Sequence, residues 1–190
     1  MDCRRVEKIE DFQQIVELQN KNLRSTLSDS EQENGFLSAA FSIEHFQEMN
    51  DDLCVVACFD KERICGYLAA GSIEFKKKFP LVAGMIDCFP KISYKNKPLK
   101  NYQSFISGPI CIDKNYRGMG IFEKLIASTL NFLLQQSNSP DLMTAFISSD
   151  NLRSTNAHKK IGMEVVGEFT FNNQVYLILA MPIETNSLNF

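Results

Sequence analysis

The stretch ICIDKNYRGMGIFEKL (Ile110–Leu125) decides how this chain folds. Ile110-Cys111-Ile112 reads as the end of a strand that closes at Asp113. A glycine-containing loop follows at once. From about Gly118 to Gln136 the positions Ile121, Phe122, Leu125, Ile126, Thr129, Leu130 and Leu133 then recur at helical spacing, which predicts one long amphipathic helix. The first turn of such a helix leaves its N–H groups without intrahelical partners, at the positive end of the macrodipole. Gly118 and Gly120 lack a Cβ, so the backbone can turn sharply and a ligand can approach the amides closely. Arg117 adds a full charge on a planar fork of donors. Together these make a seat for an anion, most naturally phosphate. Glycines at a helix start also serve as plain turns, so spacing alone leaves both readings open. The stretch lacks the GK[ST] of a P-loop and the GxGxxG spacing of a dinucleotide fold.

The flanking sequence predicts the order of elements. Ile9, Phe12, Ile15, Val16 and Leu18 set a first helix over about 8–23. A turn-rich stretch leads to Gly35, and a second helix starts with Ser42 as its cap. Leu53–Asp60 and Arg63–Phe75 read as an antiparallel hairpin, followed by an irregular excursion over 76–103. Ser104–Asp113 is the next strand. Gly108-Pro109 inside it cannot continue a regular ladder and predicts a bulge or splay. Asp141–Ser149 is a strand, Asn151–Ile161 a helix stopped by Gly162, and Met163–Phe171 and Gln174–Met181 are two final strands turning at Asn172-Asn173. The fold class is mixed α/β, one domain over residues 1–190.

Composition bounds the function. An apolar fraction of 44%, a charged fraction of 23% and a net charge of −3 describe a globular chain with no basic footprint for nucleic acid. The longest apolar runs, Leu53–Phe59 and Val175–Ile183, are too short to span a membrane, and the charged start MDCRRVEKIEDF is unlike a signal peptide. Six cysteines without a CxxC pair and only two histidines, His45 and His158, predict free thiols in a reducing cytoplasm and no metal site.

A second segment, DNLRSTNAHKKIGM (Asp150–Met163), completes the picture. The first stretch resembles the acyl-CoA pyrophosphate loop of the GNAT N-acetyltransferase superfamily, Arg/Gln-x-x-Gly-x-Gly/Ala. Arg117, Gly118, Met119, Gly120, Ile121 and Phe122 stand in that register, and Phe122 departs at the last, normally small position. The second resembles the family segment Asn-x-x-Ser/Ala…Tyr-x-Lys-x-Gly-Phe. Asn151, Ser154, Lys160, Gly162 and Met163 match, and His158 holds the tyrosine place. The resemblance implies a mostly antiparallel central sheet, flanked by helices and splayed between its fourth and fifth strands. It implies acetyl-CoA as cosubstrate, held by Ile110, Cys111 and Ile112 beside the pantetheine arm, by the Arg117–Phe122 loop, and by Asn151, Ser154 and His158. A backbone N–H among Ile110, Cys111 and Ile112 would polarise the thioester carbonyl. In the family the helix tyrosine is assigned to protonate the leaving sulfur, so His158 is the candidate catalytic residue, with a CoA contact or a packing role as the other readings. Cys111 as an acylated nucleophile runs against the family's direct transfer. Glu33, Glu74 and Asp87 are carboxylates that no spacing singles out as a general base.

Charge patterning bears on the acceptor. Residues 26–52 carry seven acids and no Lys or Arg, whereas residues 75–103 carry seven lysines and only Asp87. In the family these regions flank the acceptor groove. An acidic wall would suit a cationic amine, the lysines an anionic acceptor, and solvated surface charge accounts for both equally well. Phe36 and Leu37 are candidate groove residues. The function expected is transfer of an acetyl group from acetyl-CoA to a primary amine of a small molecule or protein, the alternative a non-catalytic acyl-CoA-binding domain. The acceptor and the oligomeric state, a homodimer included, are left open.

Overall fold

Strands that are apolar on both faces need cover on both sides, and the chain supplies it. In the computed structural model, which describes residues 1–183, seven strands form one sheet: β1 (Asp2–Arg5), β2 (Cys54–Asp60), β3 (Arg63–Ser72), β4 (Ser104–Ile112), β5 (Leu142–Ser148), β6 (Glu164–Phe171) and β7 (Gln174–Pro182). Residues 184–190, the end of the expected domain span, lie outside the described residues. The order across the sheet is β1-β2-β3-β4-β5-β7-β6, and β4 with β5 is its one parallel pair.

Strand alternation sorts the core into layers. Val55, Ala57, Tyr67 and Ala69 face α1 (Ile9–Asn20) and α2 (Ile43–Asp52), where Phe12, Ile15, Phe46 and Met49 are buried. Cys54, Val56, Leu68 and Ala70 face the opposite way and meet Ile121, Leu125, Ile126, Leu130 and Leu133 of α3 (Ile121–Leu134). Beyond the parallel pair, the segment after β3 covers the remaining half of the sheet with Val82, Met85, Phe89 and Leu99 against Phe169, Tyr176 and Ile178. A further helix, α4 (Leu152–Lys160), follows β5 directly. No described helix is long and apolar enough to cross a membrane.

Several expected boundaries move, each for a local reason. β3 stops at Ser72, whose hydroxyl accepts the Phe75 N–H and starts the helical turn Ile73–Lys76. The excursion is ordered rather than irregular, with a helix over Pro80–Ile86 and a ribbon of Ser93–Tyr94 with Lys97–Pro98. α3 begins at Ile121, because Gly118 (φ +79°) and Gly120 (φ +72°) sit in the left-handed region. The strand β1 adds to the expected order: DCRR is too short and too charged to show a period. Cys3 on β1 stands opposite Cys58 on β2 with the two sulfurs in direct contact, so these two of the six cysteines are neighbours in the fold.

Gly66 on β3 sets how closely α3 approaches the sheet. A Cβ there would meet Ile121 Cγ2 at 3.0 Å and both the Cys111 carbonyl and Ile112 Cγ1 at 3.2 Å. Gly66→Val should therefore lower stability by about 2 kcal/mol through overpacking, read as a fall in the urea midpoint at unchanged slope.

Candidate functional site

β4 and β5 pair only over Ser104–Ile106 with Leu142–Thr144, then part. Gly108 (φ +129°) and Pro109, which has no N–H, follow at the point of divergence. β4 stays attached to β3, with a register shift opposite this point. Asp113 N–H donates to the Cys65 carbonyl at 2.9 Å, so antiparallel alternation turns the Cys111 amide toward β3 and the Ile110 and Ile112 amides into the gap. Of the three expected oxyanion donors, Ile110 and Ile112 are thus available and Cys111 is taken by the ladder. The Cys111 thiol is 5% exposed, packs among the α1 and α2 side chains, and is pushed up to about 12 by desolvation, which keeps it protonated.

On the α3 side of the gap lies a cleft of about 510 Å³ lined by Ile110, Cys111, Ile112, Arg117, Gly118, Gly120, Ile121, Phe122, Asn151, Ser154 and His158. Eleven of the twelve residues expected to hold the cosubstrate come together there. The other, Met119, is 54% exposed and outside the lining. The amides of Gly118, Met119 and Gly120 have no hydrogen-bond acceptor among the described residues, and a Cβ on Gly118 or Gly120 would point into open space. This cradle of unpartnered donors at the start of a 14-residue helix fits a diphosphate.

Arg117, in the lining of the cleft, is also bonded within the protein. Its Nε donates to the Ile112 carbonyl (3.1 Å), one terminal nitrogen to the Asn34 carbonyl (2.7 Å) and the other to Asn22 Oδ1 (2.9 Å). The guanidinium clamps the connection after α1 onto the glycine loop. Asn151 does the same from α4: Nδ2 donates to the Phe36 carbonyl while Oδ1 caps the helix by accepting the Ser154 N–H. Phe36 and Leu37 are held over the gap and line the spaces on both of its sides.

His158 sits at the junction of those two spaces, 4% exposed. Its Nδ1 lies 2.8 Å from the Ser154 carbonyl, which can only accept, so the proton is on Nδ1 and Nε2 carries a lone pair. Phe122 meets the ring edge-on at 4.8 Å between centroids. Desolvation holds the imidazole down to about 4, so it is neutral near pH 7.

The second space is a chamber of about 300 Å³ on the α2 side of the gap, walled by Phe36, Phe41, Phe79, Pro80, Leu81 and Phe146. None of the seven acids of residues 26–52 lines it, and the same holds for Glu74 and Asp87. Glu33, Glu74 and Asp87 are exposed. Glu31 caps a turn at Ser28, Glu48 pairs with Lys78, and Asp52 accepts from Ser72. The acidic wall is therefore no part of the chamber. Among the described residues, the charged residue that lines it is Lys76, 1% exposed, and the buried hydroxyls of Ser107 and Ser148, also in the lining, have no hydrogen-bond partner. None of the three stands out in the sequence: Lys76 sits in a lysine run and the serines in ordinary strand positions.

A model of the acetyltransferase (GNAT) family matches residues 12–163. Among solved structures, smu.2055 from Streptococcus mutans UA159 is 19% identical, with a TM-score of 0.64 over 97% of this chain and 100% of that one. The ribosomal-protein-alanine N-acetyltransferase of Brucella melitensis is 14% identical, with a TM-score of 0.61 over 96% and 100%. The yncA protein of Salmonella typhimurium, solved with its cofactor acetyl-CoA, is 12% identical, with a TM-score of 0.61 over 97% and 95%. No curated protein matches by sequence.

Burial of His158 ties stability to acid. Because its folded-state pKa of about 4 lies below the ordinary histidine value of 6.5, the unfolded chain binds the proton first, and stability is lost as pH falls from 6.5 toward 4. The contribution is about 3 kcal/mol, and urea titrations at pH 7 and pH 4.5 should differ less for His158→Gln than for the native protein.

Proposed function

The chain belongs to the GNAT acetyltransferase family, and from that premise we propose that it transfers an acetyl group from acetyl-CoA directly to a primary amine. The carrying observation is the gap between β4 and β5, with a cradle of free amides on one side and an apolar chamber on the other. Bound acetyl-CoA supplies a thioester: the amine nitrogen bonds to the acetyl carbon, the C–S bond breaks, and the amine proton ends on the CoA sulfur.

The protein's part is binding, orientation and proton handling. The amides of Gly118–Phe122 hold the diphosphate, and the Ile110 N–H in the gap supports the acetyl oxygen as it gains charge. Phe36, Leu37 and Phe41 exclude water, and the positioning itself supplies much of the acceleration. His158 handles the proton in two moves. Its Nε2 lone pair accepts it from the attacking amine, and the imidazolium so formed, unfavourable in a buried site, passes it to the sulfur. The direct-donor role expected for this position becomes a relay, because Nδ1 is already committed to Ser154. The family's rival reading, acyl-CoA binding without turnover, predicts no acceptor-dependent thiol.

Calorimetry with acetyl-CoA and a free-thiol assay over a panel of amines test this. The native protein should bind acetyl-CoA, and Gly120→Val, which forces a branched side chain into a left-handed position, should weaken binding by about tenfold or more. His158→Gln should cut kcat by about 100-fold while leaving acetyl-CoA affinity within about threefold. Absence of binding to the native protein overturns the assignment, and binding without acceptor-dependent thiol leaves the rival reading.

A further inference from the structure

The polar groups of the acceptor chamber are not scattered at random. Lys76 enters from the helical turn after β3, and its stem lies across Gly71, where a Cβ would come within 2.3 Å of Lys76 Cε. The side chain thus reaches its place only because that position is glycine. Its Nζ donates to the Gly108 carbonyl at 2.7 Å and lies 3.3 Å from Met49 Sδ, and it has no ion pair among the described residues. Asp52, the acid that acts on it, is held by the Ser72 amide and hydroxyl, and Lys78 is paired with Glu48. Desolvation accordingly pulls Lys76 down to about 7.

A cation buried without a counter-charge is costly, and one that lines a cavity can be offset by whatever enters. His45, beside it in the lining, accepts the Ser42 N–H on Nδ1 and so keeps its own proton on Nε2 in the neutral ring. Lys76 and His45 line the chamber alone, whereas His158, with its Nε2 lone pair, also lines the cosubstrate cleft. His158 thus places an acceptor atom on the wall the chamber shares with the cosubstrate cleft, and Lys76 and His45 place donors on walls it does not share. No carboxylate lines it to neutralise an incoming ammonium.

Resting on the acetyl-transfer reading, we propose that the acceptor is an apolar amine of amino-acid size that also carries a carboxylate, and that Lys76 binds that carboxylate. The amine lies toward His158, the apolar body against Phe36, Phe41, Phe79 and Phe146, and the carboxylate completes the ion pair that Lys76 lacks. A polyamine or other polycation would bring like charge against a buried cation and is excluded from the chamber.

The test uses the full chain saturated with CoA and three probes of one carbon skeleton: 3-phenylpropionate, 3-phenylpropanol and 3-phenylpropylamine. Calorimetry should find the carboxylate bound about tenfold or more tighter than the alcohol, the amine weakest, and the carboxylate preference gone in Lys76→Met with CoA affinity unchanged. Lys76→Arg, which keeps the charge, should retain part of it. Equal or undetectable binding of acid and alcohol to the native protein, tightest binding of the amine, or a preference that survives in Lys76→Met each overturns the proposal. The native comparison decides even where a variant folds poorly. Loss of CoA binding would sink the acetyl-transfer reading instead, so the two failures are distinguishable.

Discussion

Two neighbouring strands that pair for three residues and then separate are the constraint on which this molecule depends. The separation is tolerated because neither strand relies on the other: β4 is laddered to β3 on both sides of the break, and β5 to β7 over all seven of its residues. Gly108 and Pro109 remove the geometry and the donor that further pairing needs. What the sheet gives up is a few hydrogen bonds, and the freed groups are reused. The Gly108 carbonyl takes Lys76, the Ile112 carbonyl takes Arg117, and the Ile110 amide is left facing the gap. One local break thus yields a passage between two cavities, a clamp on the glycine loop and a donor aimed at the passage.

Much of this is legible in the chain itself because it depends on local backbone chemistry. Left-handed glycines before a helix, an Asn cap after a strand and a Gly-Pro interruption each have a mechanism that acts within a few residues, so Gly118, Gly120, Asn151 and Gly108-Pro109 can be placed from sequence alone. The boundaries slip where a side chain decides them, as at Ser72. The remaining differences come from contacts distant in sequence. The bond from Arg117 to Asn22, 95 residues earlier in the chain, is one such contact. The contact of Cys3 with Cys58 needs β1, which has no periodicity of its own.

Charge is the least legible property. The acid-rich segment suggests a cationic acceptor, yet none of its seven carboxylates lines the chamber, and those of Glu31, Glu48 and Asp52 are taken up by a cap, an ion pair and a serine. The decisive charge is a single lysine in a run of three, distinguished from Lys77 and Lys78 only by the helical turn that points it inward over Gly71. Counting charges along a segment averages over orientation, and burial depends on orientation.

Recognition by peptide N–H groups also bears on divergence. A diphosphate held by amides, as proposed for this loop, would demand a backbone shape, which two glycines and a helix start supply, and would ask little of the neighbouring side chains. Met119 can face solvent and Phe122 can take a place usually kept small without removing a donor. Selection on such a grip acts on conformation more than on residue identity, so related chains are free to drift until the shared architecture outlasts nearly all shared sequence.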